Sequence, residues 1–153
     1  MNASHPIPGS PAGLVRRECF AVRLRLLNRV ITRIYDEALR PLGLTVNQMN
    51  ILAVLENLSE AEAGDIGRVL HMEKSTVSRN IERMRRQGWL STQAGSDARR
   101  VRLSVTGRGR ALLEKAMPLW SGAQEHVRGL LGEAGTASIT RVADRFFAGS
   151  KRK

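Results

Sequence analysis

The sequence predicts a mainly α-helical fold with one small β-hairpin. Apolar residues recur at helical spacing over most of the chain, and one pair of short extended segments, within residues 89–105, flanks a run of turn residues. With 153 residues, the chain is long enough for one compact domain and an appendage but too short for two large cores. We therefore expect a single folding unit.

The charge of the chain narrows the classes of function. It has 25 Lys and Arg against 14 Asp and Glu, which gives a net charge of +11. Such a balance is typical of proteins that bind a polyanion or an acidic membrane surface. No apolar run approaches the roughly 18 to 20 residues that cross a bilayer. An integral membrane protein is therefore excluded, and we expect no membrane partner beyond the surface alternative considered below.

The N-terminus and the rare residues point to a cytoplasmic protein without a cofactor. Residues 1–13 are rich in proline and glycine and lack the apolar stretch of a secretory signal, so we predict a flexible arm. Cys19 is the only cysteine, which excludes an intrachain disulfide and a cysteine-rich zinc site. Because His5, His71 and His126 show no ligand spacing, we predict no metal site.

Two helices are predicted in the first third of the chain. Residues 14–39 contain no proline or glycine and keep a helical apolar rhythm, so a long first helix is predicted that Pro41 and Gly43 close. The Thr-x-x-Gln sequence at 45–48 has the form of a capping box, which starts a second helix that runs to about Asn57. The buried face of this second helix is predicted to be Met49, Leu52 and Leu55.

A helix-turn-helix is predicted next. A short helix is followed by a tight turn at 71–73 and by a second helix that begins near Lys74 and covers 75–87. Gly88 is expected to end this helix as a left-handed cap. The inward residues of the two helices are predicted to be Ile66, Val69 and Leu70, then Val77, Ile81 and Met84.

The hairpin follows at once and makes the motif a winged helix-turn-helix, over residues 45–105. Its strands are predicted at 89–93 and 101–105, on either side of a charged, turn-rich connection. We call this hairpin the wing. Trp89 and Leu90 continue the apolar rhythm of the preceding helix, so we assign them to the core rather than to base stacking.

Two further helices are predicted after the wing. One covers 106–131, with Pro118 as a kink or a break, and the other covers 137–148. A basic tail, 149–153, ends the chain.

The distribution of charge indicates that the helix-turn-helix binds DNA. Between Lys74 and Arg110 there are ten cations and two anions, so +8 of the net +11 lies in about a quarter of the chain. Hydroxyls at the start of a recognition helix can bond to phosphates and base edges, and arginine can bond to guanine with two nitrogens. A solvated helix face is the alternative, but the nearby basic wing favours DNA. The predicted DNA-binding residues are Lys74, Ser75, Thr76, Ser78, Arg79, Arg83, Arg86, Arg99 and Arg100.

These segments resemble the MarR (multiple antibiotic resistance regulator) family of dimeric winged-helix transcription regulators. The resemblance covers roughly residues 19–147, and its most specific part is the wing, where an Asp stands two residues before an Arg and a Leu-Ser-x-x-Gly sequence follows. One departure is Gly67, where the family usually has Ala, at a cost of about 1 kcal/mol in helix stability. The residues that carry the resemblance are 42–45, 74–79, 86–90, 97–104 and Gly107.

The resemblance implies a fold and a function. Residues 14–44 and 106–148 of two chains would intertwine as N- and C-terminal dimerisation helices. The homodimer would bind a palindromic operator in double-stranded DNA, most often as a repressor, and a small molecule or an oxidant would release it. The small molecule expected is an aromatic or phenolic effector. In the wing, Asp97 would orient Arg99, and Arg99 would enter the minor groove. A wing held on the surface by Asp97, without insertion, is the alternative.

The function of Cys19 has two possible interpretations. Redox-responsive members of the family carry a reactive cysteine in the first helix with tyrosines nearby, and Tyr35 lies on that helix here. Counted back from Tyr35 and Thr45, however, that position corresponds to Ala21. Neighbouring arginines would favour a reactive thiolate. We expect the other reading, an inert or merely exposed thiol.

No arrangement of residues for catalysis is recognisable, so we predict that the chain is not an enzyme. Two other classes are compatible with the basic charge. One is an architectural nucleic-acid-binding protein without sequence preference, and the other is a protein of membrane surfaces. The wing and the hydroxyls that begin the recognition helix favour specific duplex DNA over both.

Overall fold

The structure, a computed structural model, describes residues 10–94 and 101–150. Helices predominate, and the strands described form one antiparallel pair, which confirms the predicted fold class. In chain order, the elements are α1 (Pro11–Glu18), α2 (Phe20–Leu39), a 3-10 turn (Arg40–Leu42), α3 (Val46–Leu58), α4 (Ala63–Leu70), α5 (Lys74–Arg86), β1 (Leu90–Ala94), β2 (Val101–Val105) and α6 (Gly107–Ser150).

The predicted first helix is in fact two helices. The break is at Cys19, whose backbone is extended (φ −68°, ψ 112°), and α1 begins before the predicted start. The N-cap of α1 is Ser10, whose side chain accepts a hydrogen bond from the Gly13 amide at 3.1 Å, and Pro11 occupies the first helical position, where it is favoured. The end of the predicted flexible arm is therefore helical, whereas residues 1–9 lie outside the described part.

The entry into α3 follows the predicted capping box. The Gln48 amide donates to Thr45 Oγ1 at 3.3 Å, and the Thr45 amide donates to Gln48 Oε1 at 3.0 Å. A third hydrogen bond joins α3 to α2, because Asp36 Oδ1 accepts from the Val46 amide at 2.8 Å. Met49, Leu52 and Leu55 are all buried, as predicted.

The helix-turn-helix consists of α4, the turn and α5. Ile66 is fully buried, but Val69, predicted to face inward, is 48% exposed, because so short a helix buries only a narrow stripe. In the turn, His71 takes a left-handed conformation at φ 50°. The predicted inward face of α5 is confirmed, since Val77, Ile81 and Met84 are buried.

The end of α5 is a Schellman motif around the predicted glycine cap. Gly88 has φ 71°, and its amide donates to the Arg85 carbonyl at 2.9 Å. The Trp89 amide donates to the Met84 carbonyl at 3.0 Å, and both side chains belong to the main core. Trp89 and Leu90 are buried, at 7% and 4% exposure, which confirms their assignment to the core.

The wing has a further backbone contact that the sequence analysis did not predict. β1 and β2 pair from Leu90 with Val105 to Ala94 with Val101. On the other side of β2, Ala61 and Leu103 form an isolated bridge, with amide-to-carbonyl distances of 3.1 and 2.9 Å. The segment between α3 and α4 therefore holds the base of the wing.

The C-terminal helix passes through Pro118 and is interrupted at Gly132 instead (φ 66°, ψ 170°). The two predicted helices therefore meet at this glycine. α6 packs along α2, and Tyr35, Ala123 and Val127 form a small core there. The larger core lies between α3, α4, α5 and the wing, under the recognition helix.

Candidate nucleic-acid interface

The recognition helix α5 has an apolar inner face and a polar outer face. Val77 and Met84 are 1% and 0% exposed, which fixes the rotation of the helix about its axis. On the outer side, six of the predicted DNA-binding residues are exposed, whereas Thr76 is only half-exposed. The exposed six are Lys74, Ser75, Ser78, Arg79, Arg83 and Arg86.

The N-terminus of α5 leaves room for a phosphate. Glu73 is the N-cap, and its side chain makes no capping hydrogen bond to the first turn. The amides of a first turn attract anions, and Lys74 and Ser75 stand beside them. A DNA backbone oxygen can therefore bind here without displacing a capping side chain.

The arginines of α5 differ in their availability. Arg79 Nε donates to the Ser75 carbonyl at 3.1 Å, so its side chain lies along the helix toward the N-terminus. Arg83 makes no ion pair with any residue in the described ranges. Arg86, in contrast, is paired with Glu82 at 2.9 Å, and Glu82 also pairs with Arg85 at 3.1 Å. The cations closest to the helix start are thus the ones left for DNA.

Two carboxylates of the α3 region compensate part of the basic segment. Arg102 of β2 pairs with Glu60, and Arg110 of α6 lies 3.6 Å from Glu56. Arg110 also donates to the Val105 carbonyl at 3.1 Å. Part of the +8 counted between residues 74 and 110 is therefore neutralised by residues outside that segment.

The tip of the wing lies outside the described residues. It contains Asp97, Arg99 and Arg100, so their predicted roles stay predictions. The described strands on either side end at Ala94 and Val101, which pair with each other.

Cys19 does not lie on the winged helix-turn-helix. It is half-buried at the junction of α1 and α2, where its carbonyl accepts from the Arg23 amide at 3.2 Å. Within the residues that the structure covers, no cluster of three or more His, Cys, Asp or Glu could hold a metal ion. No described helix is both long and apolar enough to cross a membrane.

Sequence reasoning missed Thr106, which joins three elements. Its hydroxyl donates to the Gly88 carbonyl at 2.7 Å and lies 3.1 Å from the Trp89 carbonyl. The same oxygen accepts from the Gly109 amide at 3.1 Å and so caps α6. A Thr three residues before a helical amide is a recognisable cap, but its contacts with the end of α5 depend on the tertiary fold.

Comparison with known proteins agrees with this architecture. A family model described as MarR family matches residues 42–100. Over 78 residues, the chain is 31% identical to the HTH-type transcriptional regulator YwoH of Bacillus subtilis, covering 51% of this chain and 57% of YwoH. The chain thus spans little more than half the length of that relative.

Solved structures extend the similarity to most of the chain. The M. tuberculosis transcriptional regulator MosR in complex with DNA is 35% identical, with a TM-score of 0.74 over 89% of this chain and 100% of that one. Bordetella bronchiseptica BpsR, whose DNA binding is regulated by 6-hydroxynicotinic acid, is 22% identical and shares the fold, with a TM-score of 0.76 over 86% and 95% of the two chains. The protein described here belongs to the MarR family.

Proposed function

We propose that this protein is a cytoplasmic transcription regulator that binds an inverted-repeat operator as a homodimer, acting as a repressor rather than as an enzyme. The observation that carries the proposal is the outer face of α5, where exposed hydroxyls and cations stand opposite a fully buried apolar face. A helix braced in this way can enter the major groove with its N-terminal side chains against base edges. The DNA complex of MosR, 35% identical, supports this reading.

The homodimer is supported by apolar surface outside the winged domain. Large apolar side chains are exposed along α1, α2 and α6, and such surfaces mark interaction sites in soluble proteins. Two half-sites about one helical turn apart, ~34 Å, would then be read together. The exposed residues are Leu14, Val15, Phe20, Val22, Leu24, Leu26, Val30, Met117, Leu130, Ile139, Val142 and Phe146.

Release by a small aromatic or phenolic effector is the regulatory part of the proposal. A groove of about 400 Å³ between α2 and α6 has mostly apolar walls, with Glu37 and His126 as its polar groups. This volume suits a small ligand. Regulation of BpsR by 6-hydroxynicotinic acid supports an effector of this kind. Such a ligand would lower operator affinity only by its preference for one spacing of the recognition helices.

Oxidation of Cys19 is not the signal that we propose. Cys19 lies at a helix junction outside the recognition helix and the wing. Cys19→Ser, and mild peroxide on the wild type, should therefore leave operator binding nearly unchanged. Release of DNA by peroxide in the wild type alone would contradict this.

The test of the function begins with selection of bound duplexes from a random-sequence library. Titration of the selected duplex and of a random duplex, at one fixed salt concentration, then measures specificity. Arg79→Ala and Arg83→Ala should each lose discrimination at one or two base pairs, worth about 1–3 kcal/mol per pair. Equal losses on both duplexes would instead indicate an architectural protein without sequence preference. Binding to acidic vesicles but not to DNA would indicate the membrane-surface class.

At the tip of the wing, we propose that Asp97 orients Arg99 for the minor groove. Simple electrostatics predicts tighter binding when Asp97 is removed, whereas an orienting role predicts weaker binding. We expect Arg99→Ala to weaken operator binding strongly, and Asp97→Ala to weaken it less when Arg99 is already Ala. Operator titrations of the wild type, both single variants and the double variant measure this coupling. Strictly additive losses would show that the pair does not exist.

A further inference from the structure

The base of the wing is anchored more firmly than its outer half. Leu103 and Val105 of β2 and Leu90 of β1 are buried, but residues 91–94 and Val101 and Arg102 are exposed. A two-stranded ribbon without a buried face is marginally stable by itself. The direction of the outer wing is therefore set where β2 leaves the core, at Leu103.

Two contacts meet at that point, and both come from the segment after α3. The first is the backbone bridge between Ala61 and Leu103. The second is the ion pair between Glu60 and Arg102, which are the residues directly before each member of the bridge along the chain. Arg102 is the first residue of β2 outside the core. Its ion pair with Glu60 therefore connects the outer wing to the rest of the domain through side chains.

The segment that supplies these contacts is itself fixed. α3 ends at Leu58, Ser59 follows with φ 64°, and Glu60 and Ala61 then lie beside β2. Leu55 is fully buried in the main core, and Glu56 lies 3.6 Å from Arg110 at the start of α6. α3 can therefore act as a rigid support for the wing.

We propose that Glu60 is a positioning residue for DNA binding, which holds Arg102 and thereby sets the angle of the wing against the duplex. This rests on the proposed function, since the angle matters because the wing carries Arg99 and Arg100. Glu60 has its effect through Arg102 and makes no contact with DNA in this proposal. This role explains why the Glu60 carboxylate lies in an otherwise basic interface.

The sign of the effect separates this role from plain electrostatics. If Glu60 only adds negative charge near DNA, Glu60→Gln should tighten binding to the selected duplex and to the random duplex alike. If it positions the wing, Glu60→Gln should weaken binding to the selected duplex about twofold to fivefold, the range for an exposed ion pair, without weakening binding to the random duplex. Glu125→Gln is the matched control, because it removes a carboxylate that is also paired with an arginine, Arg128, but lies on α6.

A double-mutant cycle tests the pair itself. Glu60→Gln, Arg102→Gln and the double variant are titrated on both duplexes, and the double variant should lose no more than Arg102→Gln alone. Additive losses, or tighter binding by Glu60→Gln, would overturn the proposal. Equal weakening on both duplexes with a lower unfolding temperature would reduce Glu60 to a merely structural role and would also overturn it.

A measurement without DNA keeps this proposal separate from the proposed function. Amide hydrogen exchange in the free protein should speed up about twofold to fivefold at Leu103 and Ala61 in Glu60→Gln, and not in Glu125→Gln. Unchanged exchange would show that Glu60 does not hold the wing, whether or not the wild type binds DNA. If the wild type shows no preference for any selected duplex while exchange responds as expected, the proposed function fails and the support of the wing stands.

Discussion

The glycine that the fold requires after the wing is not the one that the family resemblance indicated. The resemblance pointed to Gly107, yet a Cβ atom placed there would meet no atom within 4 Å. On Gly109, a Cβ would lie 2.3 Å from the Trp89 carbonyl oxygen and 2.7 Å from Val105 Cγ1. Backbone cannot move aside as a flexible side chain does, so α6 can begin this close to the wing only with glycine at 109.

We expect Gly109→Ala to destabilise the protein by about 1–3 kcal/mol or more, because the added methyl group overpacks the junction of the wing and α6. Urea unfolding measures the difference. Gly107→Ala is the matched control and should change stability by less than about 0.5 kcal/mol, as exposed substitutions usually do. Similar stability of the two variants would contradict the close approach.

Among the elements, the recognition helix α5 contains an acidic residue, Glu82, that partly neutralises arginines of the same helix. Glu82 pairs with both Arg85 and Arg86, and all three side chains are about half-exposed or more. Surface pairs of this kind contribute little to stability. Their effect on the field at the DNA surface is larger, because they keep the C-terminal half of α5 less positive than its sequence suggests.

Glu82→Gln should therefore strengthen binding to random duplex DNA and steepen its dependence on salt by about one released counterion. Discrimination between the selected and the random duplex should fall, because the added attraction is independent of sequence. Titrations at several salt concentrations measure both effects, with Glu125→Gln as the control, since Glu125 forms a similar pair with Arg128 on α6. An unchanged salt slope would show that Arg85 and Arg86 stay away from the phosphates.

The contact between α2 and α6 contains a buried phenol. Burial raises the pKa of Tyr35 above its ordinary value of about 10, and the positive charge of Arg128 opposes the shift. Tyr35 also donates to Gln124 of α6. The folded protein thus keeps this proton to higher pH than the unfolded chain does.

The stability that this shift contributes is fully present below about pH 10 and is lost as pH rises through the folded-state pKa. Tyr35→Phe should remove that alkaline dependence while lowering stability at neutral pH by about 1 kcal/mol through the lost hydrogen bond. Because Tyr35 is the only tyrosine, the ultraviolet absorbance of tyrosinate reports its titration directly. Ionisation at or below the ordinary pKa in the folded protein would contradict the shift.

Elements set by local signals could be predicted from the sequence, and those set by distant contacts could not. The capping box of Thr45 and Gln48 and the left-handed Gly88 each depend on neighbouring residues, so they were found. The break at Cys19 carries no proline or glycine, and the interruption of α6 fell at Gly132 rather than at Pro118. At the interface, the outer face of α5 followed from periodicity, whereas the pairing of Arg102 with Glu60, 42 residues away, required the tertiary fold.

At the scale of the whole molecule, a single chain leaves apolar parts of its two longest helices, α2 and α6, exposed to solvent. α2 packs on α6 along part of its length, where Tyr35 and Val127 are buried. Toward the N-terminus of α2 and the C-terminus of α6, however, Phe20, Leu24 and Phe146 are 77%, 62% and 75% exposed. Because apolar surface of this extent is costly in water, the ends of the two helices indicate where a second chain would bind.

Phe146→Asp tests that arrangement with little risk to the fold of one chain, because the side chain is 75% exposed there. We expect the wild type to sediment at twice the chain mass of 16.9 kDa and the variant to dissociate toward one chain. The variant should also lose the advantage of a duplex with two half-sites over a duplex with one, since a single winged domain reads only one half-site. Val69→Asp is the control, because Val69 is an exposed apolar residue on α4, at 48%, and should stay dimeric. A variant at Phe146 that remains a dimer and still prefers two half-sites would show that the chains associate through another surface.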